Sequence, residues 1–285
     1  MLTDTHAHLD FPDFAADLDA VLNRARKAGV HRFITIGTTI EGSRRAIELA
    51  DRFPMVWATV GVHPSNAMEA PDDVLTPLRE LAKHPRVVAL GECGLDYHRL
   101  PGAGSLSPQP AYLAEMPLND PREAEASVRD GAVKAKQSLI FEQQLDLAVE
   151  TALPLVIHER DAWADTLAQL DPFTGKARAV FHCFGKGFDQ AGEVLARGHL
   201  VSFTGIVTFK NAASVHDCAT RLAAGSFMVE TDCPFLAPVP FRGKRCEPAH
   251  VRTTAERIAA MRGVPLDQLA AETETTVNGF FRFRR

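Results

Sequence analysis

The feature that most restricts the fold of this chain is a regular alternation of short apolar stretches with longer stretches of helical periodicity. Several helical stretches begin with acidic residues and end beside a glycine, which is typical of helix starts and stops. Eight strands that alternate with helices in 285 residues fit one closed (β/α)8 barrel better than a doubly wound sheet. We therefore predict an α/β fold, a single-domain TIM barrel over residues 1–285. Its strands are expected at 2–9, 32–37, 55–62, 87–94, 154–160, 177–184, 200–206 and 227–234.

One segment interrupts this alternation. Residues 99–136 are rich in Pro, Gly, Ala and Ser, and they lie between the fourth strand and the helix expected after it. Connections of this length inside a compact domain are usually functional or disordered. We predict a mobile insertion that gates or reshapes a substrate cleft, rather than a second domain.

The composition excludes several classes of protein. The net charge of −5 is not that of a protein that coats nucleic acid, so a polyanionic substrate would need positive charge concentrated at its site. No apolar run approaches the ~20 residues of a membrane span, and the early polar residues leave no room for a signal peptide. The five cysteines include no C-x-x-C pair, which predicts free thiols and a cytoplasmic location. Nothing indicates a membrane partner or an obligate protein partner.

Polar side chains interrupt the apolar strands at one end. His6 and His8 share a face of the first strand with Asp4, because side chains of a strand alternate between its two faces. An isolated H-x-H pair is more often a hydrogen-bonded structural pair than a metal site. Here, however, seven such residues occur at the carboxyl ends of strands, where barrel enzymes place their catalytic groups. They are His6, His8, His63, Glu92, His158, His182 and Asp232.

These residue types point to metal chemistry. Imidazole and carboxylate ligands suit divalent ions such as Mg, Mn, Zn or Co. A mononuclear site would use three or four of them and leave the others without a role. A binuclear site would use six, with one carboxylate as a bridge, and two-metal sites are common in phosphoester cleavage. Cys93, Cys183 and Cys233 each follow a candidate ligand by one residue, so the alternation predicts that they pack outward against the helices.

Seven motifs in order along the chain resemble the TatD family of metal-dependent deoxyribonucleases, which belongs to the amidohydrolase-like TIM barrels. The resemblance extends from residue 2 to the end of the sequence, apart from 99–136. It departs from the family at Cys246, where the family usually has Asn. The motifs are DTHAHLD (4–10), GVHP (61–64), GECGLDY (91–97), VIHERDA (156–162), FHCF (181–184), SFTGIVTFK (202–210) and ETDCPFLAPVPFRGKRCEPAHV (230–251).

The resemblance implies two divalent metal ions as cofactors. His6, His8 and Asp232 would hold one ion, His158 and His182 would hold the other, and Glu92 would bridge them. His63 has no ion in this scheme, and we expect it to contact substrate, to orient a ligand, or to make a structural hydrogen bond. Asp4 is expected to orient the ligands rather than to bind metal.

The resemblance also implies a reaction, the hydrolysis of phosphodiester bonds in DNA. Asp232 and Glu92 are the predicted catalytic residues, with Asp232 taking the proton of the attacking water. The expected mode is a 3′–5′ exonuclease that prefers single strands. Predicted substrate contacts come from the basic loop after the eighth strand, Arg242, Lys244 and Arg245, with Lys210 and Arg160 as further candidates.

Two other functions remain open from the residues alone. The same ions can polarise a carbonyl group, so the substrate could be an amide, a lactone or an aminoacyl-tRNA ester. The basic loop argues against a small neutral substrate but not against tRNA. The second alternative is a non-catalytic metal- or nucleic-acid-binding protein, and the complete ligand set argues against it.

Overall fold

The computed structural model describes residues 1–98, 100–101 and 121–283, with the backbone alone for 121–126. Eight parallel strands follow one another around a single nearly closed barrel, which confirms the predicted single-domain (β/α)8 fold. The eighth strand meets the first through a bridge between Ala7 and Cys233. The strands are β1 (Leu2–Ala7), β2 (Val30–Thr35), β3 (Val56–Val60), β4 (Val87–Asp96), β5 (Leu155–Arg160), β6 (Ala179–Phe181), β7 (Leu200–Phe203) and β8 (Phe227–Val229).

Several predicted strands are longer than the observed ones. The predicted strand at 177–184 is reduced to β6, and the one at 227–234 to β8. In both cases the backbone turns into the left-handed region shortly after the strand, at Cys183 (φ 48°) and at Asp232 (φ 60°). A non-glycine residue in the left-handed region turns the chain out of the extended conformation, so these apolar stretches leave the barrel early.

The helices pack around the outside of the barrel. In the described part of the chain they are α1 (Leu18–Lys27), α2 (Ile40–Arg52), α3 (Leu75–Leu81), α4 (Pro121–Thr151), α5 (Trp163–Leu170), α6 (Phe188–Ala196), α7 (Ala213–Arg221), α8 (Val251–Arg262) and α9 (Leu266–Phe280). Local sequence sets their ends: Thr39 Oγ1 accepts a hydrogen bond from Gly42 N–H (2.9 Å) at the start of α2. Gly263, with φ 68°, ends α8. No helix among the described residues is both long and apolar enough to cross a membrane.

The second half of the predicted insertion at 99–136 is a helix in the structure. Residues 121–136 form the first part of α4, which is 31 residues long. Residues rich in Ala, Glu, Lys and Arg favour a helix, and this preference outweighs the scattered Gly and Pro of the segment. Residues 99 and 102–120 lie outside the described part of the chain, so mobility and gating stay predictions there.

The barrel interior is apolar at one end and polar at the other. Side chains such as Ile34, Val88 and Met228 fill the amino-terminal half, and Phe280 and Phe281 at the end of α9 close it. A second apolar layer, which includes Cys93 and Cys233, lies between strands and helices as predicted. All five cysteines are free. Since the apolar filling occupies the amino-terminal end, the polar residues of the interior collect at the carboxyl end.

One buried histidine far from that polar end makes stability depend on pH. His199 is buried, and its Nδ1 accepts a hydrogen bond from Ala179 N–H (3.2 Å), so the ring must be neutral there. Burial, with the positive charges of Arg197 and Arg178, lowers the pKa of His199 to about 4. An unfolded histidine titrates near 6.5, so between these values the unfolded chain binds more protons and stability falls as pH falls.

We therefore predict a smaller pH dependence for His199→Asn, whose amide oxygen can accept the same hydrogen bond. The histidine contributes at most about 1.4 kcal/mol per pH unit between pH 6.5 and 4 to the free energy of unfolding. Urea denaturation of both proteins at several pH values in this window measures the difference. Equal pH slopes for the two proteins would contradict the assignment.

Candidate metal centre

The predicted ligands meet at the carboxyl ends of the strands, around a cleft of about 780 Å³. β1 carries His6 and ends just before His8, β4 carries Glu92, and β5 carries His158. His6 is fully buried, below the residues that line the cleft. The structure thus brings together every residue of the predicted ligand set, although they are up to 226 positions apart in the sequence (from 6 to 232). The cleft is lined by His8, His63, Glu92, His158, His182 and Asp232, among others.

A first cluster forms around the imidazoles of β1. His6 Nε2 lies 3.3 Å from His8 Nε2, and His8 Nε2 lies 3.3 Å from Asp232 Oδ1. Glu92 Oε2 completes the group, at 3.3 Å from His6 Nε2 and 3.8 Å from His8 Nε2. One candidate ligand atom from each of His6, His8 and Asp232 lies within 4.8 Å of the others, which is the spacing of a shared metal ion.

A second cluster forms around the other carboxylate oxygen of Glu92. Oε1 lies 2.7 Å from His182 Nε2 and 3.0 Å from His158 Nδ1. These two nitrogens are 3.4 Å apart. His63 Nε2 approaches the same oxygen at 3.4 Å. The two oxygens of one buried carboxylate therefore face two different sets of imidazole nitrogens.

This arrangement fits metal ions better than hydrogen bonds among the side chains themselves. The nitrogens of His6 and His8 face each other, as do those of His158 and His182, and lone pairs at such distances repel unless a proton or a cation lies between them. Imidazole nitrogen and carboxylate oxygen are ligands for Zn, Mn, Co and Mg. His6, His8 and Asp232 would hold one ion and His158 and His182 the other, with Glu92 between them.

The charge of the carboxylates supports the same conclusion. Burial acts to raise the pKa of Glu92, but His182 and His63 outweigh it and hold that pKa well below its usual range. Burial likewise acts against ionisation of Asp232, and the hydrogen bond from His8 lowers its pKa overall. Both carboxylates are therefore ionised, and buried negative charge attracts cations strongly because the local dielectric is low.

Two carboxylates outside the predicted ligand set lie against the ligand rings. His158 Nε2–H donates to Asp96 Oδ2 (3.0 Å), which leaves Nδ1 without a proton and free to bind metal. Glu230 Oε1 lies 3.6 Å from His182 Nδ1, beyond hydrogen-bond distance, so it acts on that ring through its charge. Strand alternation could have identified Asp96, since it shares a face of β4 with Glu92.

We predict that Asp96→Asn weakens metal binding without unfolding the protein. An amide can donate to His158 Nε2, which would move the ring proton to Nδ1 and block the ligand atom. Loss of such a partner typically costs about 10- to 100-fold in metal affinity. Competition with a chromophoric chelator measures this, and a thermal melt of the metal-free variant checks the fold. Unchanged affinity would contradict the role.

His63 has the opposite arrangement of its ring proton. Ser65 N–H donates to His63 Nδ1 (3.0 Å), and Ser65 Oγ lies 2.6 Å from the same nitrogen. Because Nδ1 is the acceptor, the proton of the neutral ring is on Nε2, which faces Glu92. His63 is therefore built as a hydrogen-bond donor toward the centre, whereas a metal ligand needs a free lone pair. A substrate contact for His63 stays a prediction.

Asp4 does not contact the ligand rings. Its Oδ1 accepts a hydrogen bond from Thr231 N–H (2.9 Å) and its Oδ2 from Thr231 Oγ1 (2.6 Å), so it fixes the residue before Asp232. Asp232 itself has a left-handed backbone, and its N–H donates to His6 O (2.9 Å). These hydrogen bonds hold Asp232 in a strained backbone conformation. Such strain is common where a functional side chain must be held in one orientation.

Cys183 differs from its prediction. It lines the metal-centre cleft and lies 3.5 Å from Thr204 Oγ1, rather than packing against the outer helices. The reason is its left-handed backbone, which breaks the alternation of the strand just beyond β6. Burial raises the pKa of this thiol to about 12, so it is protonated and unreactive at neutral pH.

The basic loop lies apart from the described lining of this cleft. Arg245 donates to both carboxylate oxygens of Asp17 (2.9 and 2.8 Å) and to Glu247 (2.9 Å), so its charge is engaged in fixing the loop. Arg242 and Lys244 are exposed, and Arg242 stacks on Phe209. Substrate contacts from these three residues stay predictions.

Different cations line the cleft itself. They are Arg160 and Lys186, and Lys186 pairs with Glu159 at 3.1 Å. Arg160 was among the sequence candidates, whereas nothing in the sequence distinguished Lys186 from other surface lysines.

Comparison with known proteins gives a consistent family. The family described as TatD related DNase matches residues 3–282. The uncharacterized metal-dependent hydrolase YabD of Bacillus subtilis is 34% identical over 99% of this chain and 99% of its own length. The 3′-5′ ssDNA/RNA exonuclease TatD of Enterobacter lignolyticus is 33% identical over 98% of each chain. The crystal structure of the TatD homologue YJJV of Escherichia coli superposes with a TM-score of 0.81 at 25% identity, over 98% of this chain and 97% of that one.

Proposed function

The chain belongs to the TatD-related DNase family and is a metal-dependent hydrolase, and from this premise we propose that it removes nucleotides from the 3′ end of single-stranded DNA with two divalent ions. The observation that carries the proposal is Glu92, whose two oxygens face two separate clusters of imidazole nitrogens. A carboxylate so placed suits a pair of ions, and paired ions suit the attack on a phosphodiester because they stabilise both the attacking and the leaving oxygen.

Asp232 and His63 would carry out the proton transfers of the reaction. When bound, the ions lower the pKa of water and neutralise charge on the phosphoryl oxygens. Asp232 has Oδ1 against His8 and His6, so its second oxygen is the one available to accept the proton of the attacking water. His63 offers its Nε2 proton from the opposite side of Glu92, where it can donate to a phosphate oxygen or to the leaving group.

The walls of the cleft suit a nucleotide. Phe11 stacks on the His8 ring at 4.7 Å, and Phe235 is 51% exposed beside it. Aromatic faces next to the ligands can stack on a base, and the cations Arg160 and Lys186 on the other wall can contact flanking phosphates. Since the ligands lie inside a cleft at the barrel mouth, a strand end reaches them more readily than the interior of a duplex. The exonuclease name of the Enterobacter relative supports the same polarity.

The test uses metal-depleted protein with 5′-labelled single-stranded DNA or RNA. We expect no cleavage until Mn, Mg or Zn is added, and then a ladder of products that shorten from the 3′ end. A circular single strand of the same composition should resist. Cleavage of the circle at the rate of the linear strand would overturn the exonuclease assignment. Hydrolysis of esters or amides without cleavage of any nucleic acid would overturn the proposed substrate.

A further inference from the structure

A second large cleft lies at the opposite end of the barrel from the candidate metal centre. Its volume is about 1380 Å³, against about 780 Å³ for the metal-centre cleft. Its walls come from the amino-terminal ends of β2, β3, β5 and β6 and from the segment after α9. None of the candidate metal ligands lines it, so this cleft is spatially separate from the metal centre.

The lining of this basal cleft is strongly positive. Five cations line it and no acidic residue occurs among its described lining residues, although Arg32 pairs with Glu274 (3.2 Å) and Arg197 with Asp171 (2.7 Å) beside it. This is a marked local concentration in a chain whose net charge is −5. Cations gathered on low-dielectric walls attract polyanions and raise their local concentration. The cations are Arg32, Lys176, Arg178, Arg197 and Arg282, and the sequence continues with Arg284 and Arg285.

Three of these cations are available to a ligand. Lys176, Arg178 and Arg282 are exposed. Among the described residues, Lys176 Nζ donates only to a backbone carbonyl (3.0 Å), and Arg178 Nη1 donates to Gly279 O (3.0 Å). The side chain of Arg282 has no hydrogen bond or ion pair with the described residues. Their charges are therefore not neutralised by described carboxylates.

Aromatic rings line the same cleft. Trp57 and Phe283 are half-buried there and meet edge to face, with ring centroids 5.1 Å apart. The guanidinium of Arg32 lies 4.2 Å from the centroid of Phe283, and that of Arg86 lies 3.9 Å from the centroid of Trp57, so a cation covers one face of each ring. Aromatic surfaces interleaved with cations are the usual means of binding single-stranded nucleic acid, because bases stack while phosphates pair with the cations.

We propose that the basal cleft is a second binding site, for a segment of single-stranded nucleic acid. Phosphates would contact Lys176, Arg178 and Arg282, and bases would lie against Trp57 and Phe283. The cleft exceeds the ~300–1,000 Å³ of a small-molecule pocket, and three exposed cations line it, so a strand with several phosphates fits it better than one phosphate group. Binding here needs no hydrolysis, and loss of nuclease activity would leave this site in place.

The position of Trp57 allows a direct test. The sequence has two tryptophans, so Trp163→Phe leaves Trp57 as the sole reporter. The protein with its metal is titrated with an oligothymidylate whose phosphorothioate linkages resist cleavage, and we expect saturable quenching of Trp57 emission. The pair Arg178→Glu and Arg282→Glu should weaken this binding about tenfold. It should also reduce the slope of log affinity against log salt by about 1.4, at ~0.7 per phosphate contact.

The matched control is the pair Arg44→Glu and Arg257→Glu, which changes net charge equally at exposed positions of α2 and α8. It should bind as the parent does, and an equal loss in this control would overturn the proposal. So would an unchanged Trp57 emission, thymidine monophosphate binding as tightly as the oligonucleotide, or binding to phosphatidylserine vesicles in its place. The single variant Arg282→Glu controls for misfolding of the pair, because the Arg282 side chain has no partner among the described residues. It should reduce the slope of log affinity against log salt by about 0.7.

Discussion

Replacement of Asp232 by alanine should lower the rate of hydrolysis by about 10³-fold or more while the barrel stays folded. The side chain lies 3.3 Å from His8 Nε2 and 3.7 Å from His6 Nε2, so its loss removes one ligand of the first cluster. The substitution also removes the carboxylate oxygen that we propose as the acceptor of the proton from the attacking water. Initial rates on 3′-ended single-stranded DNA at saturating metal measure the effect, and circular dichroism checks the fold.

The matched control is Asp165→Ala, on α5. Asp165 is exposed and accepts a hydrogen bond from Tyr97 OH (2.9 Å), but it does not line the metal-centre cleft. This variant should retain the parent rate. Near-normal turnover by Asp232→Ala would exclude this residue both as a ligand and as the base. Restoration of the rate by higher metal concentration alone would restrict its role to metal binding.

Three of the predicted ligands share one property: each interrupts an apolar strand. His6, Glu92 and His158 lie in strands where an unpaired polar group would be costly, so a functional role can be predicted for them without a structure. The barrel then places them together, since all parallel strands end at the same face. This reasoning needs only the two-residue period of a strand and the order of the elements.

Other contacts of the site depend on backbone geometry and tertiary packing beyond the strands. Glu230 follows β8, and its contact with His182 requires the turn that Thr231 and Asp4 fix. Cys183 faces the cleft only because its backbone is left-handed. The ion pair of Arg245, a predicted substrate contact, joins it to Asp17 from 228 positions away. Pairings of this kind are set by tertiary packing, for which local sequence patterns carry no signal.

The basal cleft could not be predicted from the sequence for a related reason. Its cations come from β2, from the turn before β6, from the end of α6 and from the chain after α9. No two of these segments form a motif, and the net charge of −5 suggests an acidic surface throughout. Only the closure of the barrel brings them to one end, so composition alone underrates the positive charge that a fold can concentrate.

Glu92→Gln should leave the proposed centre with one metal ion instead of two. The carboxylate oxygens face the first cluster at 3.3 Å and the second at 2.7 Å, and an amide offers one oxygen and one nitrogen that cannot ligate. We expect metal content to fall from about two ions to about one per chain, with a loss of activity of about 10³-fold. Metal analysis after equilibration with Mn or Zn, together with rates on single-stranded DNA, measures both quantities.

The control for this change is Glu159→Gln, because Glu159 is a carboxylate of the same cleft that faces Lys186 and the N–H of Ala162 instead of the imidazoles. It should keep both ions and most of the activity. Two bound ions in Glu92→Gln would show that the bridge is not needed for occupancy. One ion in the parent protein would contradict the binuclear centre itself. A variant with one ion and full activity would mean that the chemistry needs only one cluster, so metal content and rate together decide what Glu92 does.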